Sequence, residues 1–230
     1  ERSVRIEQGT ADVNSGSNFY RTFGNGNRRT FTISVWAKKC DTPGNIGDDQ
    51  YSIMSAGGGG SGSSSLNLRF SNVDRLDFGG GISGSTSFDL RTNRKFRDTC
   101  NWYHIVAAVD TTAITSSDRV KMYVNGNQIG LNSRVEGGNK VNDTPLTQDY
   151  ELGFLTASKH QIGENVDGSS EHYDGYLAEF YFVDGSQLDP TYFGETNSNG
   201  VWVPVEKDKG AGGTITFGNY GFLLEFKQTG

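Results

Sequence analysis

Short runs in which apolar and polar residues alternate dominate this sequence, each closed by a cluster of Gly, Asn, Asp or Ser, and helical periodicity is nearly absent. A period of two sends one side chain to a core and the next away from it, the signature of strands joined by tight turns. The pattern predicts strands near 3–7, 18–23, 29–39, 50–56, 64–70, 74–79, 86–91, 101–110, 119–125, 149–154, 159–164, 175–184 and 221–226. Short strands spaced this evenly imply a β-sandwich or a closed barrel. One helical turn is expected at Asp189–Phe193, where Asp189 caps and Pro190 takes the first helical position, at which a missing N–H costs nothing. Gly at 32 residues against Pro at 4 fits many hairpins rather than a disordered tract, and Phe 14, Tyr 10 and Trp 3 supply core bulk despite a hydrophobic fraction of 33%. The whole chain, 1–230, reads as one large β domain.

Two runs carry a register. Phe31, Ile33, Val35 and Ala37 share one strand face, and Tyr103, Ile105, Ala107 and Val109 share another. As antiparallel neighbours they set Ile33 opposite Ala107, Val35 opposite Ile105 and Ala37 opposite Tyr103 on the buried side. The same register places Trp36 opposite His104 and Cys40 opposite Cys100. Slips of two residues keep the faces, so the cysteines choose among registers. Directly opposed cysteines fall within disulfide range, and a Cys40–Cys100 bridge is the expectation, with two free thiols as the alternative.

Composition removes several classes of function. With a net charge of −6 and basic residues scattered, apart from Arg91, Arg94, Lys95 and Arg97, no nucleic-acid-binding stripe exists. No apolar run approaches the roughly 18 residues needed to span a bilayer. The chain shows neither an initiator Met nor a signal peptide and reads as a processed or excised piece. Gly57, Gly59 and Gly62 form a GxGxxG, but the run that follows, Leu66 to Phe70, alternates like a strand, so no dinucleotide site is expected.

Three stretches taken in order resemble the laminin-G and pentraxin superfamily. They are Asn101-Trp102-Tyr103-His104-Ile105-Val106, Val120 to Gly126 ending in Tyr123-Val124-Asn125-Gly126, and His160-Gln161-Ile162-Gly163 followed by Tyr173 to Phe180. The likeness covers 29–184 and implies an all-β, two-sheet antiparallel jelly-roll sandwich of the concanavalin A-like kind, with 185–230 as a C-terminal extension completing it. In pentraxins a disulfide joins the two strands that match Phe31–Lys39 and Trp102–Val109, at the positions of Ser34 and Val106 here, so a Cys40–Cys100 bond lies six residues along the same ladder. A narrower likeness, to modules encoded by marine tailed phages, rests on Tyr173 to Gly185, Leu188-Asp189-Pro190, Phe193 to Thr196, Gly200 to Pro204 and Asn219 to Phe226. It implies a protein of tail, fibre or capsid surface, extracellular in location, with other virion proteins or further copies of itself as partners.

Catalysis has little support. Glycoside hydrolases on this fold set carboxylates at alternate positions of one strand, whereas Glu179 stands alone in Leu177–Tyr181 and Asp48-Asp49 are adjacent. No GxSxG accompanies the three histidines, and His104 is expected to pack beside Trp36 with its ring N–H satisfied. No catalytic residue and no zinc site is assigned. Domains of the resembled family often hold calcium at loop rims, and the acidic stretch 164–175 offers Glu164, Asp167, Glu171 and Asp174 as calcium ligands, with Asp41 to Asp49 as a second candidate. Tyr20, Tyr51, Tyr150, Tyr173, Tyr181 and Trp202 are the aromatics eligible to stack on sugar rings. Asn142-Asp143-Thr144 matches a glycosylation acceptor, which a phage protein would not use. The expected function is a non-enzymatic virion structural module. A glycan-binding adhesin, calcium-dependent in one form, is the alternative, and a glycan hydrolase comes last.

Overall fold

The computed structural model describes residues 2–7, 16–40, 50–57, 65–82, 85–133, 135–136, 139–140, 146–166 and 171–227. Sheet A holds β1 (Val4–Ile6), β3 (Thr30–Lys39), β8 (Tyr103–Asp110), β9 (Val120–Val124), β10 (Asn127–Gln128), β15 (Gly175–Asp184) and β18 (Phe222–Leu224). Its order is β1-β15-β3-β8-β9-β10, with β18 beside β1 along the same edge of β15. Sheet B runs β11-β7-β6-β5-β4-β14-β2, from β11 (Leu131–Ser133), β7 (Ser85–Thr92), β6 (Leu76–Ile82), β5 (Ser65–Phe70), β4 (Tyr51–Gly57) and β14 (Lys159–Ile162) to β2 (Phe19–Thr22). Two ribbons, β12 (Val135–Glu136) with β13 (Asn139–Lys140) and β16 (Gly194–Thr196) with β17 (Trp202–Pro204), complete the strands. All pairings are antiparallel, and the architecture is a two-sheet sandwich of the jelly-roll kind. No helix among the described residues is long and apolar enough to cross a membrane.

One core fills the space between the sheets. Phe31, Ile33, Val35 and Ala37 of β3 and Tyr103, Ile105, Ala107 and Val109 of β8 meet Leu66, Leu68, Phe70 and Phe78 of sheet B. The β3–β8 register is the one the sequence implies, from Thr30 opposite Asp110 to Ala37 opposite Tyr103. Of the expected strands, only 149–154 is not a strand: it is loop, pinned by Leu152 N–H donating to Arg28 O at 3.0 Å, with Leu152 and Phe154 in the core. The expected turn is present as a short 3-10 segment at Pro190–Tyr192, capped by Thr191 N–H donating to Asp189 Oδ1 at 2.8 Å.

The Cys40–Cys100 bridge is not formed; both thiols are free and exposed. The register is right but the β3–β8 ladder stops at Ala37–Tyr103. Beyond it β3 continues only along β15, where Lys39 pairs with Gly175 and Cys40 N–H donates to Asp174 O at 3.0 Å. The other chain turns away, because the Asp98 carboxylate takes up Cys100 N–H at 2.8 Å together with the Asn101 amide. Opposed numbering therefore does not become opposed geometry.

The outer face of sheet A is covered as well. Val106, Ala108, Tyr181 and Val183 form a second cluster with Phe193 and Ile215 from the segment after β15, so the central strands are buried on both sides. Thr32 ties that segment down, its hydroxyl donating to Ser186 O at 2.7 Å and accepting from Leu188 N–H at 2.8 Å. β15 can serve both cores because of a bulge. Between the pairs Ala178–Trp36 and Tyr181–Ser34, two residues of β15, Glu179 and Phe180, oppose Val35 alone. The extra residue returns Phe180 and Phe182 to the inner core and Tyr181 and Val183 to the outer one.

Candidate functional site

The bulge, the N-terminal end of β8 and the β16–β17 ribbon together enclose a groove of about 930 Å³ on the outer face of sheet A. All three tryptophans of the chain, Trp36, Trp102 and Trp202, line it. Behind them His104 stacks on Trp36, with ring centres 4.9 Å apart, and on Trp202, at 6.0 Å. The indole of Trp202 donates to His104 Nδ1 at 3.0 Å. An indole nitrogen can only donate, so Nδ1 accepts and the neutral ring carries its proton on Nε2, which donates to Ser34 Oγ at 2.9 Å. Burial holds His104 neutral by lowering its pKa from 6.5 to about 3.

Trp202 reaches this position because the backbone on either side lacks side chains. A Cβ on Gly126 would lie 2.6 Å from its ring, and one on Gly194 would lie 2.7 Å away. Gly126 also has φ +78° and follows Asn125 at +49°, the pair forming the tight turn between β9 and β10. Asn125 bonds reciprocally with the start of β8: its N–H donates to His104 O at 2.9 Å, and its side-chain Oδ1 accepts from His104 N–H at 2.8 Å. The Trp102-Tyr103-His104 and Tyr123-Val124-Asn125-Gly126 stretches are thus one structural unit.

Two polar atoms at the groove lack a hydrogen-bond partner although they are buried. One is Nε1 of Trp36, a residue only 8% exposed, and the other is Oε2 of Glu179. Glu179 takes φ +46° at the bulge, a conformation costing a non-glycine residue about 1–3 kcal/mol. Burial, reinforced by the nearby charge of Glu225, raises its pKa above the usual carboxylate range. An orphan donor and an orphan acceptor on neighbouring strands match a ligand hydroxyl, which both accepts and donates.

The calcium ligand set lies elsewhere, and its members take separate partners. Glu164 is buried and accepts from Asn18 Nδ2 at 2.6 Å and from the Gln161 amide, with His172 Nδ1 at 3.6 Å. Glu171 accepts from Arg69 Nη1 at 3.1 Å and from Asn67 and Asn165 at 3.3 and 2.9 Å. Asp174 pairs with Arg5 at 2.5 Å. Asp167 and the second candidate stretch, Asp41 to Asp49, lie outside the described residues, as do Asn142-Asp143-Thr144 and most of the glycine-rich run. Among the described residues no three His, Cys, Asp or Glu side chains gather to hold a metal ion.

Of the aromatics proposed for stacking, Trp202 is in the groove and Tyr20 is 70% exposed on β2, while Tyr51, Tyr173 and Tyr181 are buried. Trp36 and Trp102 were missing from that set. The parity of Trp36 and His104, outward on adjacent strands, was the signal for the first of them.

The chain is similar to a number of solved structures. They include a heptameric SAP-like pentraxin from Limulus polyphemus (14% identity, TM-score 0.47, covering 90% of this chain and 84% of that one). A sialidase CBM40 domain from Ruminococcus gnavus is similar at 12% identity and TM-score 0.47, covering 75% and 91%. So is tailspike protein 2 of the Escherichia coli O157:H7 bacteriophage CAB120, at 14% and 0.49, where 82% of this chain spans 23% of the tailspike. No curated protein matches the chain in sequence. The laminin-G profile of the concanavalin A-like lectin/glucanase superfamily matches residues 10–187, which takes in nearly all of both sheets, and the chain belongs to that family.

Proposed function

We propose that this domain is a non-catalytic carbohydrate-binding module displayed on the surface of a virion. The observation that carries the binding reading is the groove in which all three tryptophans meet an orphan indole N–H and an orphan carboxylate oxygen. Aromatic faces with a few convergent polar groups suit a ligand that is apolar on its ring faces and polar at its edges. The virion setting is supported by the likeness of Tyr173 to Gly185 and Gly200 to Pro204 to modules of marine tailed phages. Against hydrolysis, the carboxylates that line the groove among the described residues are Glu179 and Asp98, and Asp98 is tied to Cys100 N–H and the Asn101 amide.

Intrinsic fluorescence tests this directly, because every tryptophan of the chain reports on the groove. Titration with an oligosaccharide library is expected to give a saturable change for at least one glycan, abolished by Trp202→Ala, with no reducing ends released. Release of reducing ends would overturn the non-catalytic reading. Silence across the library from folded protein would overturn the glycan reading in favour of a scaffold role. That second reading has its own observation: β2 ends sheet B with all four residues exposed, presenting Phe19 and Tyr20 to a partner.

Calcium dependence is tested separately. A calcium ion at the 164–174 acids would have to part Glu171 from Arg69 and Asp174 from Arg5. Melting is therefore expected to be the same in millimolar calcium and in chelator. A rise with calcium would place ligands on those acids, since a ion bound only by the native state stabilises it.

A further inference from the structure

The groove's rim is cationic in a chain of net charge −6. Among the described residues Arg2, Arg94, Lys95 and Arg97 line it, against Asp98 and Glu179. In sequence the last three cations are an unremarkable cluster; in space Arg2, from the N-terminal end of the sequence, joins them in lining the groove. Two of the four are held in place. The Arg94 guanidinium lies over the rings of Phe96 and Tyr103 at 5.3 and 5.9 Å, and Arg97 Nε donates to Asp74 at 2.9 Å. Arg2 and Lys95 are exposed to solvent. Asp98 keeps its charge while it accepts from Cys100 N–H and the Asn101 amide, and burial raises the pKa of Glu179, so four cations, one of them paired with Asp74, face two acids. A cleft lined with one sign of charge raises the local concentration of the opposite sign.

We infer that the ligand class this groove selects is an anionic oligosaccharide, its sugar rings against the tryptophans and its acidic groups against the Arg2–Arg94–Lys95–Arg97 rim. The inference rests on the glycan reading above and narrows it. Carboxylate sugars and sulfate esters share the required chemistry, and the test separates them.

The experiment is a fluorescence titration of the whole domain with oligogalacturonate, a sulfated dextran oligomer, neutral dextran oligomers of matched length, and inorganic polyphosphate. At least one anionic sugar is expected to bind about tenfold or more tighter than the neutral one at low salt, with the advantage shrinking as the Debye length falls to about 3 Å near 1 M salt. Arg2→Glu with Lys95→Glu, both on exposed side chains, is expected to remove that advantage and leave melting unchanged. Whether oligogalacturonate or sulfated dextran leads identifies the acidic group. Equal or tighter binding of the neutral sugar would overturn the inference while leaving the glycan reading intact. Polyphosphate binding as tightly as the acidic sugars, and surviving Trp202→Ala, would overturn it as mere charge attraction. Binding of no sugar at all would overturn both.

Discussion

Gly126→Ala is expected to dismantle the groove while leaving the sandwich folded. The new Cβ would sit 2.6 Å from the Trp202 ring, and a backbone at φ +78° would have to accept an L side chain. Displacing the indole breaks its 3.0 Å hydrogen bond to His104 Nδ1 and strands a buried acceptor. Left-handed strain of about 1–2 kcal/mol and an unsatisfied buried group of about 1–3 kcal/mol give a loss of roughly 2–5 kcal/mol. For a domain of this size that is a fall in melting temperature of about 4–20 °C. Tryptophan emission should shift to the red as Trp202 meets water, and glycan binding should disappear. Gly213→Ala, outside the groove lining, is the control: its φ is +93°, but a Cβ there has nothing within 4 Å. It should lose only the conformational part, about 1–2 kcal/mol, and keep both emission and binding. If the two variants melt alike with unshifted emission, Trp202 is not seated against the turn.

The inner core was legible because period-two alternation reports directly on one buried face, and β3 and β8 carry it without interruption. What alternation conceals is the second face. Ser34, Trp36 and His104 read as outward, yet they are covered by a C-terminal segment whose only regular pieces are three-residue strands and one 3-10 turn. Nothing in so irregular a stretch announces what it packs on. The bulge was concealed for a related reason. Strict alternation through Leu177–Val183 sends Glu179 to the same side as Leu177, and only pairing with β3 shows that one residue is extra. The cysteine inference failed where a ladder was extended past its last pair, since nothing in residue numbering marks where two strands part. Composition marks the acidic loop but not the partners its carboxylates take, because Arg5, Arg69, Asn18 and Asn67 are remote in sequence.

Acid should destabilise this protein well above the usual carboxylate range, and the groove should fail with it. Burial lowers the pKa of His104 from 6.5 to about 3, and that of His160 from 6.5 to about 4. Nε2 of His160 accepts from Leu155 N–H at 3.0 Å, which favours the neutral ring, while Nδ1 donates to Ser158 O at 2.9 Å, a contact that partly offsets the burial. Below pH 6.5 the unfolded chain takes up protons at both residues and the native fold does not, so stability falls with pH until the native pKa values are reached. Each histidine contributes up to about 1.4 kcal/mol per pH unit, so the pair loses on the order of 5 kcal/mol between neutrality and pH 4.5. Glu179 works in the other direction, because a raised carboxylate pKa stabilises the fold as it protonates, and it blunts the slope without reversing it. Melting curves at about pH 7, 5.5 and 4.5 should show a steep fall in midpoint, and His160→Gln should flatten it. A midpoint that holds steady across this window would mean that both imidazoles protonate inside the fold. The same titration reaches the tryptophans: a protonated His104 carries hydrogen on both nitrogens, so Nδ1 can no longer accept from Trp202. Glycan binding should therefore be lost together with the fold or before it, never after.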